Sequence, residues 1–168
     1  MNHHFRKAEI SETSEIWAIL QHAIIRRKKE GSNQWQDGYP NLEVIKKDIE
    51  KGYGYVLTED EKTIGYCAIL INDEPEYEKI EGKWLTNSDF VVFHRVAISE
   101  KHLGKNLSKK IIEFIEDFAR KMNIKSLKAD TNHDNFAMIK IFEKSGFTFC
   151  GTVHFRGSPR RAYEKVLE

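Results

Sequence analysis

The chain has 168 residues, enough to bury a core without disulfide or metal staples, and a single domain over residues 1–168 is expected. Its 27 Lys and Arg against 26 Asp and Glu nearly cancel, so the totals favour neither nucleic acid nor an anionic membrane as partner. Cys67 and Cys150 each sit in an apolar run with no metal or redox spacing and read as reduced core residues; with no signal-like or spanning apolar stretch, a soluble cytoplasmic protein without a metal is expected.

In chain order, residues 5–10 read as a first strand, after which Ser11 is placed to cap a helix reaching about Lys29. Ile16, Leu20, Ala23 and Ile24 keep helical spacing, and the consecutive Arg26, Arg27, Lys28 and Lys29 are read as its solvated end. The segment 31–40 has loop composition but carries Trp35, Asp37 and Tyr39, and long loops with large aromatics often line sites. A short helix over 41–51 leads to strands at 53–58 and 63–71 joined by a charged turn, a hairpin pattern. Residues 72–86, charged and interrupted by Pro75 and Gly82, predict an exposed excursion.

Residues 90–98, FVVFHRVAI, are apolar on nearly both faces and predict a central strand. Simple alternation puts Phe90, Val92, His94, Val96 and Ile98 on one face and Val91, Phe93, Arg95 and Ala97 on the other. A helix over 105–122 is expected to bury Leu107, Ile111, Phe114, Ile115, Phe118 and Met122. A strand at 126–131, a helix at 135–144 stopped by Gly146, and strands at 147–153 and 162–167 complete the order βααβββαβαββ. That alternation predicts an α/β (α+β) fold, a mixed central sheet flanked by helices.

A strand running through a glycine-containing turn into a helix aims free backbone N–H groups and the positive helix end at one point, an arrangement suited to phosphate. The turn here is Leu103, Gly104, Lys105, Asn106, Leu107 and Ser108. Neither the Walker nor the Rossmann glycine pattern occurs, which excludes the common triphosphate and dinucleotide loops.

VAIS at 96–99 followed by LGKNLS resembles the acetyl-coenzyme A motif of the GNAT N-acetyltransferases, with Leu103, Asn106 and Ser108 departing from its usual [RQ]xxGx[GA] form. NFAMIKIFEKSGF at 135–147 is similar to that family's Asn-led helix ending in EKxGF, at the matching distance, and the likeness covers nearly the whole chain. The resemblance implies the GNAT acyl-CoA N-acyltransferase fold and acetyl-CoA as co-substrate. Main-chain groups of Val96, Ala97 and Ile98 would hold the pantetheine, and N–H groups of residues 103–108 the diphosphate. Asn135 would help hold the cofactor, with Phe136 and Phe142 packed nearby; without the motif, Asn135 reads as an ordinary helix cap.

The resemblance further implies direct attack of an amine on the thioester, with the Val96 N–H at the developing oxyanion. His94, placed on the Val96 face by alternation, is the candidate base, against the reading of a hydrogen-bonded core histidine. Phe142 stands where the family carries a tyrosine acid, and Tyr163 and Ser108 are the candidate substitutes. Trp35 and Tyr39, with Asp37 and either Tyr53 or Trp84, are the candidate wall for a small primary amine or amino group, aromatics and a carboxylate suiting a cation; each aromatic also reads as ordinary packing. A non-catalytic acyl-CoA-binding or sensing module is the alternative function. A homodimer is compatible with either.

Overall fold

A computed structural model describes residues 2–168. Strand β1 (His3–Lys7) precedes helix α1 (Thr13–Lys29) and helix α2 (Leu42–Glu50). Strands β2 (Gly54–Glu59), β3 (Lys62–Ile71), the two-residue β4 (Glu81–Gly82) and β5 (Phe90–Ile98) follow. Helix α3 (Leu107–Lys121), strand β6 (Ser126–Thr131), helix α4 (Phe136–Lys144) and strands β7 (Thr148–Phe155) and β8 (Ser158–Val166) complete the chain. The strands form one sheet in the order β1-β2-β3-β5-β6-β8-β7-β4, in which only the β5–β6 pair is parallel. Among the described residues no helix is long and apolar enough to cross a membrane.

Helices cover both faces. On one, α3 and α4 bury Ile111, Ile115 and Phe142 against Val91, Phe93, Val96 and Ile98 of β5. On the other, Ile16, Leu20 and Ala23 of α1 and Ile45 of α2 pack on Val56, Tyr66 and Ala97. The far half of that second face is covered by the segment expected to be an exposed excursion. It folds a 3-10 turn (Pro75–Lys79) that buries Tyr77 against Val92, Val153 and Ala162, and β4 then pairs with β7. That pairing needs two glycines: a Cβ at Gly82 or Gly151 would come within 2.3 Å of a main-chain carbonyl oxygen opposite.

Several expected boundaries shift for local reasons. The first strand starts two residues earlier, and residues 10–12 form a 3-10 turn; Glu12, rather than Ser11, does the capping, accepting from the Glu9 N–H at 2.8 Å and from both Arg6 Nη atoms at 2.9 Å. Helix α3 begins at Leu107 because Gly104 and Asn106 both take positive φ. Its buried face is rotated toward Ile112 and Ala119, which leaves Met122 exposed. The last two strands extend into a hairpin closed by Arg156 and Gly157, both at positive φ. A register shift between Phe149 and Gly151 leaves Cys150 only half-buried, whereas Cys67 is core; both are free thiols.

Candidate active site

The central strand does not alternate as predicted. Register pairs Ala68 with His94 but Tyr66 with Ala97, so Arg95 and Val96 together oppose Cys67, and Arg95 takes a φ of 57°. This bulge inserts one residue into the strand and reverses facing beyond it. Val96 therefore packs with Phe93 and Ile98, while His94 faces Tyr77 and Phe155 and Arg95 faces α2. The expectation that His94 and Val96 share a face is overturned by the bulge.

Beside the bulge the sheet opens. Strands β5 and β6 pair only from Phe90 with Ser126 to Val92 with Lys128, and past that point they separate. Their diverging ends, with α4, the loop before α2 and the β7–β8 hairpin, enclose a cavity of about 170 Å³. His94, Val96, Trp35, Tyr39, Asn135 and Phe142, singled out separately in the sequence, all line it. Strand separation is what brings them together, since a continuous ladder would fill the space.

His94 is held between two carboxylates. Its Nε2 lies 2.7 Å from Glu74 Oε2 and its Nδ1 3.8 Å from Asp130 Oδ1, and Asp130 also accepts from the Tyr77 hydroxyl at 2.6 Å. Burial, followed by the charge of Asp130, pushes the Tyr77 phenol well above its usual range, so it stays a donor. On the opposite wall Arg95 makes a bidentate pair with Asp48 at 2.7 and 2.9 Å and also donates to the Tyr39 hydroxyl. Tyr66 donates to the same Asp48 at 2.7 Å. Although burial opposes it, Tyr39 and Asp48 raise the affinity of Arg95 for its proton, so this wall carries a fixed, neutralised pair.

The loop over 31–40 is tied down by polar contacts rather than by its aromatics alone. Asp134 accepts from Ser32 Oγ at 2.6 Å and the Asn33 N–H at 2.9 Å; burial opposes its charge, but those bonds prevail and hold its carboxyl below the usual range. Gln34 Oε1 accepts from Thr131, the Asn132 N–H and Asn135 Nδ2. Asn135, 2 % exposed, also accepts from the Met138 N–H at 3.2 Å. The cap reading of Asn135 is thus what the geometry displays: both polar ends of its side chain are engaged within the protein.

Phe142, 1 % exposed, packs its ring 5.0 Å from Tyr163, 5.3 Å from Phe147 and 6.1 Å from Phe93. Tyr163 accepts from Arg161 Nε and does not line the cavity, and Ser108 does not line it either, so neither candidate acid is brought to the cavity. Tyr53 bonds Asp73 and Trp84 bonds the Tyr77 carbonyl, both outside the lining. Asp37 pairs with Arg156 at 3.0 Å, which removes it as a free carboxylate for a cation. The acidic groups facing the cavity are instead Glu74 and Asp130, with Arg27 and Arg160 on the basic side. Arg27 had a sequence signal: it continues the 16, 20, 23 spacing of the buried face of α1, so the basic run is only partly a solvated end.

The turn over 103–108 lies outside the cavity lining, at the start of α3. Space is open where a Cβ on Gly104 would project, and Asn106 makes no side-chain cap bond to the helix start. Bare N–H groups of the first turn beside an open glycine are the features a phosphate needs. Leu103 is exposed and Leu107 buried, so the turn is anchored by one apolar side chain and otherwise presents main chain.

Residues 17–147 match the family model described as acetyltransferase (GNAT) family. The solved structure of a GNAT-family acetyltransferase from Streptococcus agalactiae is 34% identical with a TM-score of 0.91, covering 99% of this chain and 96% of that one. A GNAT-family acetyltransferase from Listeria monocytogenes is 22% identical with a TM-score of 0.79, covering 98% and 95%. A putative acetyltransferase from Salmonella typhimurium, solved with its cofactor acetyl-CoA, is 19% identical with a TM-score of 0.70, covering 100% and 95%; at these last two identities the likeness is one of fold. A search of curated proteins finds no match.

Proposed function

The chain belongs to the GNAT acetyltransferase family, and from that premise we propose that it transfers the acetyl group of acetyl-CoA to a small primary amine or amino group by direct attack, as a single domain over residues 1–168. The observation that carries this reading is His94 on the cavity wall beside the separated strand ends, bonded to Glu74 and facing Asp130.

Both halves of the site fit the co-substrate. Open space at Gly104 and the uncapped first turn of α3 suit a diphosphate, so the N–H groups of residues 103–108 would hold it. The edges of Val96, Ala97 and Ile98, past the end of β5–β6 pairing, would take the pantetheine as an added strand. Asn135 serves here by fixing the start of α4 and the loop opposite.

A small amine is mostly ammonium near neutral pH, so attack requires that a proton be removed first. Glu74, accepting from Nε2, orients the His94 ring so that Nδ1 keeps a lone pair for that proton, and Asp130 stabilises the imidazolium that results. Acetyl-CoA supplies the activated carbonyl; the Val96 main chain, on the bulge, is our choice for stabilising charge on its oxygen. The tyrosine lining the cavity, Tyr39, comes from the loop before α2 and accepts from Arg95, and Phe142 cannot donate, so the sulfur departs as thiolate, which an ordinary thiol pKa of about 8.5 allows, and takes up the second proton that the nitrogen loses as the amide forms.

The test is thiol release from acetyl-CoA by the purified protein across a panel of amines. His94→Ala is expected to lower kcat/KM about 10²- to 10⁴-fold. Full activity in that variant at every pH would falsify the assignment of the base. The absence of a tyrosine at Phe142 favours a second reading, a non-catalytic acyl-CoA-binding module; tight acetyl-CoA binding without turnover on any amine would establish it.

A further inference from the structure

The cavity holds more buried positive charge than the protein itself partners. Of the four arginines lining it, Arg95 is paired with Asp48 and Arg156 with Asp37. Arg160, projecting from β8 and only 7 % exposed, forms no ion pair and donates no hydrogen bond among the described residues, and its Nε is buried without a partner. Arg27 likewise has a buried, unpartnered Nε, and its guanidinium lies over Trp35 at 5.2 Å from the ring centroid.

An unpaired buried guanidinium is costly, and an apolar side chain of similar size would fill the same space at less expense. Burial accordingly lowers the proton affinity of Arg160, while the fields of Asp130 and, more weakly, Asp37 counter that effect from beyond ion-pair distance. The co-substrate does not explain this cation, because none of residues 103–108 lines the cavity. What is lacking is an anion brought by the other reactant. Close by, Glu74 and Asp130 flank His94 and suit an ammonium. Opposite charges at one small site match a molecule carrying both on neighbouring atoms.

We infer that the acceptor is a zwitterionic α-amino acid, its carboxylate taken by Arg160 and its amino group delivered to His94. This rests on the acetyl-transfer reading and narrows it. Arg27, on the Trp35 wall, adds positive potential without a partner of its own. Asp37, expected to face the amino group, is paired with Arg156, so Glu74 and Asp130 take that role here.

The experiment compares the common α-amino acids with the decarboxylated amine of each, for example leucine with isoamylamine and phenylalanine with phenethylamine. For the best acceptor, kcat/KM of the amino acid should exceed that of its amine about a hundredfold, since a buried charge is left unmatched by the amine. Arg160→Gln should narrow that ratio to within about tenfold, and Arg160→Lys should restore part of it, with the melting temperature of each variant verifying folding. A wild-type preference for the amine, or an unchanged ratio in folded Arg160→Gln, overturns the inference. If nothing is acetylated, the transfer reading fails, and calorimetric titration of the CoA-saturated protein decides the acceptor class separately. Binding of an amino acid that is lost in Arg160→Gln then supports the zwitterion site, and binding of none of them overturns it.

Discussion

The two ends of the site are made of different material. The turn over 103–108 offers main-chain N–H groups, anchored by Leu107 and opened by Gly104, and everything it contributes is contiguous in the chain. The cavity wall offers side chains from the 3-10 approach (Glu74), β5 (His94, Arg95), β6 (Asp130), α1 (Arg27) and β8 (Arg160), residues far apart in sequence that meet only because β5 and β6 diverge. A main-chain site tolerates substitution as long as backbone shape is kept, so the proposed diphosphate role of the turn is compatible with Leu103, Asn106 and Ser108 departing from the family pattern. A side-chain site depends on each group and on what holds it.

Substitutions on either side should break that contrast unequally. The largest effect is expected from Asp48→Ala, which strips the bidentate partner from buried Arg95 and the acceptor from Tyr66; denaturant unfolding should lose about 3–5 kcal/mol. A loss under about 1 kcal/mol would mean that the cavity wall does not depend on this pair. On the main-chain side, Gly104→Ala meets no steric block but forces a non-glycine residue to a φ of 79°. A stability loss of about 1–2 kcal/mol and a raised KM for acetyl-CoA are expected, read by unfolding and initial rates.

Smaller again is the effect of Asp134, which ties the loop over 31–40 to the turn before α4. Its carboxyl is held below the usual range in the folded protein, so its contribution is complete above the unfolded carboxylate pKa and is lost as pH falls through the lowered folded value. Asp134→Asn should cost about 1 kcal/mol at neutral pH, and the acid-side decline in stability should be shallower than in the wild type. The smallest stability change is expected from Phe142→Tyr, under about 1 kcal/mol because the one hydroxyl is added beside the cavity. Turnover should be unchanged or raised; a large loss of kcat would show that ring packing against Phe147 and Tyr163 matters more than any acid.

Apart from the two-residue β4, the order of elements, the central strand at 90–98, the glycine turn before α3 and the α4 motif were legible in the sequence because each rests on local periodicity, turn chemistry or a contiguous motif. Misplaced features were those decided by partners elsewhere. Alternation along 90–98 is a two-residue rule, and the bulge at Arg95 and Val96 breaks it through register with β3 and the pull of Asp48 on Arg95. The segment at 72–86 looks like exposed loop by composition, yet the cavity's Glu74 and the buried Tyr77 come from it because β7 offers an edge to β4. Sequence alone therefore determined the fold and the place of the glycine turn before α3, both being properties of contiguous backbone. Only tertiary structure decided that His94 stands between Glu74 and Asp130 and that Arg160 is buried without a counterion, because pairing of distant charges is a matter of three-dimensional proximity and desolvation.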